Sequence, residues 1–192
     1  QAFAMESFER EGLAFPVFTT HLSTAIGGTL SVSGVGQHSV NFGRQIDQVL
    51  GFELVLPDGS VTWVSEDDEP ELFRMTLAGF GLFGVMTKVR LRLIQRKEWV
   101  AYHSITFHSF ADAWSALVAF CELHHGEGRA DTVSMTRDHR YYSLHIGYEF
   151  QTQGEARRES ETLPPCVDSS VVKSHSALVL EAREQRRTRR TV

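Results

Sequence analysis

The chain has 192 residues, 42% hydrophobic and 22% charged, enough for one ordinary domain or one and a half small ones. A net charge of −5 gives no global reason to expect nucleic acid or an anionic membrane as partner. The charge is uneven: residues 1–150 hold 11 Lys/Arg against 18 Asp/Glu, whereas residues 151–192 hold 8 against 6, with five Arg between Arg183 and Arg190. That basic run reads as a solvated tail. Cys121 and Cys166 do not form a disulfide framework or a zinc-binding spacing. No apolar run is long enough to cross a bilayer as a helix. The sequence begins at Gln1 inside a helical pattern, which leaves room for an upstream targeting segment; a cytoplasmic location is the favoured expectation.

In chain order, residues 3–11 set Phe3, Met5 and Phe8 among charges and stop at Gly12, which predicts a helix with a glycine at its end. Leu13 to Phe18 reads as extended through Pro16. Ala25 to Gly43 is rich in Gly, Ser and Thr, with glycines at 27, 28, 34, 36 and 43. Ile26, Leu30, Val32 and Val35 interleave with them, so this is no flexible linker but a segment whose backbone comes close to something. A hairpin follows: strand Val49 to Leu56, turn Pro57-Asp58-Gly59, strand Val61 to Val64. After the acidic run Ser65 to Glu69, Pro70 opens a helix carrying Leu72, Phe73 and Leu77. Val85 to Leu93 alternates as a strand, with Val85, Thr87, Val89, Leu91 and Leu93 on one face and Met86 on the other.

A second unit starts near Gln95. Trp99 to Phe107 reads as a strand, and Ser109 with Asp112 forms a capping box for a helix expected to bury Phe110, Trp114, Leu117, Val118 and Cys121. Strands Thr132 to Thr136 and Tyr141 to Phe150 complete a β-α-β-β layer, with Tyr142, Leu144, Ile146, Tyr148 and Phe150 on one side of an open half-sheet. Beyond Gln151 only Ala177 to Leu180 forms an apolar patch, and the tail is expected to be loosely ordered.

Gly79-Phe80-Gly81-Leu82-Phe83-Gly84 fits the GxGxxG dinucleotide fingerprint, but it follows a helix and opens a strand, the reverse of the context that fingerprint needs. His124 and His125 point to different helix faces and cannot readily chelate one metal, and no metal site is expected. His103, His108 and His145 lie on or beside strands of the second unit, where a surface or satisfied core role competes with lining a substrate pocket. No catalytic residue emerges from spacing.

Two blocks carry a resemblance. Gly27-Gly28-Thr29-Leu30-Ser31 with Gly34-Val35 and Phe42-Gly43-Arg44-Gln45, and then Leu77-Ala78-Gly79-Phe80-Gly81-Leu82-Phe83-Gly84-Val85-Met86-Thr87, are similar in order and spacing to the cytokinin dehydrogenase branch of the vanillyl-alcohol oxidase superfamily. The resemblance implies an α+β chain. Residues 1–95 would be the second subdomain of a PCMH-type FAD-binding domain, 96–150 the start of a substrate (cap) domain, and 151–192 the polar tail. It implies FAD as cofactor, contacted by Ala25, Ser31, Val35 and Met86, with Gly27, Gly28 and Thr29 forming the turn that presents them. It also implies a small-molecule substrate and hydride transfer in an FAD-dependent oxidoreductase, with a non-catalytic flavin-fold remnant or partner subunit as the alternative. The sequence departs from the pattern at Thr20, where the family has an active-site Asp, at Leu82 in place of Gln and at Arg44 in place of Pro. The upstream Arg-Gly-x-Gly-His loop is not in this sequence. Because the half-sheet leaves an open edge, the chain is expected to self-associate, to need a companion polypeptide or to be a truncated piece of a longer gene product.

Overall fold

In the computed structural model, the residues described are 10–19, 23–122, 130–161 and 168–174. Residues 3–9 of the expected helix, Thr20, His124, His125 and the Arg-rich end lie outside them. The chain divides into two compact units, Gln1–Arg96 and Lys97–Val192, built from helices and antiparallel sheets. It is an α+β fold.

In the first unit, strand β1 (Leu13–Ala14) is followed by two short helices, α1 (Ile26–Ser31) and α2 (Ser39–Phe42), and a 3-10 turn over Gln45–Gln48. Strands β2 (Val49–Val55) and β3 (Val61–Val64) form the expected hairpin, and helix α3 (Pro70–Thr76) starts on its proline. Strand β4 (Val85–Leu91) takes the other side of β2, giving the order β3-β2-β4, while β5 (Ile94–Gln95) returns to pair with β1. Phe52, Leu54, Val64 and Phe73 form the core with Leu30 of α1. The Phe52 and Phe73 rings stack 5.5 Å apart.

The alternation of β4 is not uniform. Phe52 pairs with Val89 and Glu53 with Lys88, but Leu54 pairs with Met86, so the register slips past Thr87. A bulge of this kind inserts one residue and reverses the faces beyond it. Val89, Leu91 and Met86 therefore all pack against the core, whereas Val85 turns outward. This corrects the expectation that placed Met86 opposite Val89. The bulge is pinned by Glu53, which accepts from the Thr87 hydroxyl at 2.8 Å and pairs with Lys88 at 2.8 Å.

In the second unit, β6 (Trp99–Phe107), α4 (Phe110–Glu122), β7 (Thr132–Arg137) and β8 (Tyr142–Phe150) follow the expected order. The structure then adds helix α5 (Gln153–Glu161) and strand β9 (Ser169–Ser174), where a loosely ordered tail was expected. Strand β9 pairs with β6 from Trp99↔Ser174 to Ser104↔Ser169, and the sheet order becomes β7-β8-β6-β9. This β-α-β-β-α-β unit is a closed antiparallel layer with helices on one face. Weak periodicity hid both elements, because α5 buries only Ala156 and β9 is an edge rich in Ser.

Nor is the face of β8 left open. Leu144 and Ile146 are buried with Ile105 against Ala116, Leu117 and Phe120 of α4. Helix α4 is rotated from its expected setting: Ala113 is fully buried, while Phe110, Trp114 and Cys121 are exposed. The positions 113, 116, 117 and 120 make the helical stripe that small and apolar side chains can press onto a sheet. Phe110 instead packs at the helix start against Trp114 and Tyr142, with ring centroids 5.9 and 5.6 Å away.

If α5 and β9 complete this unit, a chain ending at Gln151 should lose cooperative unfolding of residues 97–150. It should also associate more than the full chain, because the β6 edge and the face under α5 are bared. Size-exclusion chromatography with light scattering, set beside thermal melting, checks both.

Candidate functional site

The glycine segment is a helix and not the turn expected for Gly27 to Thr29. Ala25 sits in extended conformation at its start, and Thr29 N–H donates to the Ala25 carbonyl at 3.1 Å. The Thr29 hydroxyl is buried and bonds back to the Ile26 carbonyl at 3.0 Å; the Ser31 hydroxyl donates to the Gly27 carbonyl at 2.9 Å. Both hydroxyls thus serve the helix itself, a back-bonding common for Ser and Thr in helices.

The two glycines have different surroundings. A Cβ at Gly27 would lie 3.5 Å from the Met86 carbonyl oxygen and 3.8 Å from Met86 Cβ, so this glycine is where α1 rests on β4. A Cβ at Gly28 would meet nothing within 4 Å, and the residue is exposed. The structure therefore brings Ala25, Gly27, Gly28, Thr29, Ser31 and Met86 together around α1. Val35 follows in the next loop and is exposed.

The second sequence block completes this junction. Ala78 N–H donates to the Leu30 carbonyl at 3.0 Å, and Phe80 N–H to the Ser31 carbonyl at 2.9 Å. These are carbonyls at the end of α1, which the helix cannot satisfy internally. Aiming both donors requires left-handed backbone at two non-glycine residues, Ala78 (φ 59°) and Phe80 (φ 54°). Such a conformation is disfavoured for side chains other than Gly and is retained where surrounding structure enforces it. Phe80 and Leu82 are 76% and 78% exposed, too much for core residues. Sequence reasoning did not single out Phe80; the density of glycine around it was the available signal.

Arg44, in place of the family proline, forms a two-point contact with Asp47: Nη2 lies 3.0 Å from one carboxylate oxygen and Nε 3.3 Å from the other. Its backbone N–H also donates to Asp47 at 2.7 Å. An open depression of about 600 Å³ lies beside this pair, rimmed by Arg44, Glu66, Arg74 and Arg92 over Ile46, Val49 and Phe73. None of the seven expected cofactor residues lines it.

Of the histidines considered for a substrate pocket, His103 is buried against Tyr148 in the second unit, its Nδ1 3.1 Å from the Ser170 hydroxyl. Its Nε2 has no hydrogen-bond partner among the described residues. His145 lies near the Tyr102 ring, with Nε2 2.9 Å from the Thr136 hydroxyl. No group of metal-ligating side chains occurs among the described residues. No helix among them is long and apolar enough to cross a membrane.

Residues 4–65 match the FAD binding domain family. The chain is 35% identical over 121 residues to cytokinin dehydrogenase 8 of Oryza sativa subsp. indica, covering 62% of this chain and 23% of that protein. To cytokinin dehydrogenase 5 of Arabidopsis thaliana it is 33% identical over 125 residues, 64% of this chain and 22% of that one. The chain thus spans under a quarter of the length of these relatives. Its fold is similar to that of 6-hydroxy-D-nicotine oxidase from Arthrobacter nicotinovorans, with a TM-score of 0.67 and 24% identity over 95% of this chain and 42% of that one. Glucooligosaccharide oxidase from Acremonium strictum gives 0.70 and 15% over 93% and 39%. The match over residues 4–65 is to a family that binds FAD, and FAD is the cofactor it indicates. Over the matched residues the sequence is similar to cytokinin dehydrogenases.

Burial holds the imidazoles of His103 and His145 below their ordinary value. Above pH of about 6.5 folded and unfolded forms are both neutral there; below it the unfolded chain takes up protons first, so stability falls with falling pH until the folded-state values are reached. His103→Gln should flatten this dependence over the interval just below about pH 6.5. Urea unfolding of wild type and variant across that interval measures it.

Proposed function

We propose that this chain supplies one wall of the flavin site of an FAD-dependent oxidoreductase that takes a hydride from a small-molecule substrate. The observation that carries the reading is the junction of α1 with the 78–86 segment, where Gly27 seats the helix on Met86 and Gly28 leaves bare backbone open. A dinucleotide's phosphates and rings need close backbone approach, which a side chain at residue 28 would block. FAD, when bound, supplies the hydride-accepting chemistry, and the protein supplies position and electrostatics.

Ala25, Gly27, Gly28, Val35 and Met86 are the residues assigned to contact the cofactor. Thr29 and Ser31 act by holding the helix, since their hydroxyls are turned to its own carbonyls. The substrate domain of the reading corresponds to residues 97 onward.

The 192-residue chain should bind FAD weakly, because one side of the cleft comes from segments of the relatives that this chain does not span. Titration followed by flavin fluorescence tests it, with Gly28→Val expected to weaken the response and leave the melting temperature within a few degrees. Gly36→Ala is the contrasting control: a Cβ there would lie 1.7 Å from the Phe18 carbonyl oxygen, so it should destabilise the unit. No FAD response at any concentration, or equal binding by wild type and Gly28→Val, contradicts the assignment.

A further inference from the structure

In the first unit, the depression beside Arg44 is floored by the outer side of the core. Ile46, Val49 and Phe73 lie there with Leu77, and all four belong to the core of this unit or pack against it. Leu50 adds an exposed apolar side chain for a reason of register. Val49 pairs with Leu91 and Gly51 with Arg90, so Leu50 has no partner on β4 and bulges from the strand. A bulge re-aims its side chain, and Leu50, 45% exposed, lines the depression. An apolar floor under about 600 Å³ of open space is on the scale of a small-molecule site.

The rim sets Arg44, Arg74 and Arg92 against Asp47, Glu66 and Asp67. Two of these pairs are already made. Arg44 holds Asp47 at two points, and Arg74 donates to Glu66 from Nε at 3.1 Å and from Nη2. Asp67 and Arg92 are exposed, have no side-chain partner among the described residues and are not paired with each other. Their backbones are nonetheless fixed. The turn carrying Asp67 is closed by Ser65 N–H donating to the Asp68 carbonyl at 2.7 Å and by Asp68 N–H donating to the Ser65 hydroxyl at 3.1 Å. Arg92 N–H donates to the Gln48 carbonyl at 2.8 Å, just past the end of β4. Arg44 stands where the resembling family has proline, so part of this rim is particular to this chain.

We propose that this depression binds a small zwitterion with an apolar side group, a free aromatic amino acid being the simplest case. Its carboxylate meets Arg92, its ammonium meets Asp67 and its side group lies over Leu50 and Leu77. A guanidinium grips a carboxylate as a planar fork, and a carboxylate accepts from an ammonium. A monoanion on Arg92 brings its charge toward Asp67, and a monocation on Asp67 brings its charge toward Arg92; each adds like-charge repulsion. A zwitterion supplies a counter-charge to both and leaves the two made pairs intact. The side group extends the core outward over Leu50, which the bulge otherwise leaves in water. None of the seven residues expected at the cofactor lines the depression, so this site is separate from the flavin wall.

The test titrates three probes into the isotope-labelled 192-residue chain and follows two-dimensional NMR: phenylalanine, 3-phenylpropionate, which lacks the ammonium, and 2-phenylethylamine, which lacks the carboxylate. Phenylalanine should shift the signals of Leu50, Leu77 and Ala78 and bind roughly fivefold more tightly than either analogue, the weight of one exposed ion pair. Arg92→Gln should abolish its advantage over 2-phenylethylamine, and Asp67→Asn its advantage over 3-phenylpropionate. Both side chains are exposed, so thermal melting of the two variants should stay within a few degrees of wild type. A merely structural role for either residue would weaken all three probes alike. Equal binding of the three, tighter binding of either analogue, shifts confined to other residues, or no saturable response overturns the proposal.

Discussion

Two backbone hydrogen bonds, from Ala78 and Phe80 to the last carbonyls of α1, hold the first unit's central junction together. A six-residue helix is far too short to persist in water by its own propensity. It needs its terminal carbonyls satisfied and one face buried, and the 78–86 segment helps provide both. Leu30 contributes the buried face, packing into the core of the β2–β3–β4 sheet. The left-handed backbone at Ala78 and Phe80 costs on the order of 1–2 kcal/mol each, which that packing and bonding offset. Two glycine-rich stretches far apart in sequence are in this sense a single structural object, and the exposed backbone of Gly28 depends on the loop that fixes the helix.

The second unit depends on coverage. Its sheet buries one face under α4 and α5, and the edge of β6 is taken by β9, so the apolar residues of β8 have partners within the unit.

The hairpin, α3, β6, β7 and β8 were legible because their signals are local: Pro57-Asp58-Gly59 dictates a turn, Pro70 a helix start, and alternation a strand. The glycine blocks pointed to close backbone approach, although α1 was taken for a turn. Six residues containing two adjacent glycines have poor helix propensity, and only the tertiary bonds from Ala78 and Phe80 override it. The faces of β4 were misread because the bulge at Thr87 is a property of pairing with β2, invisible along one strand. The setting of α4 was misread for a related reason: Ala113 and Ala116 look like neutral positions in sequence, yet small side chains are what let a helix sit close to a sheet. Helix α5 and β9 were missed because neither carries an apolar stripe; their order comes from a neighbouring strand.

The strand order β7-β8-β6-β9 has a consequence for biosynthesis. β6 is made first and sits in the middle of the sheet, while its neighbour β9 emerges last, with Trp99 waiting for Ser174. Chains fold vectorially as they leave the ribosome, and unpaired strand edges are exposed in the interval. A nascent second unit therefore keeps one side of its earliest strand unsatisfied until almost all of it has been synthesised. The edge of β6 is the one that waits, and closure depends on the late, serine-rich β9.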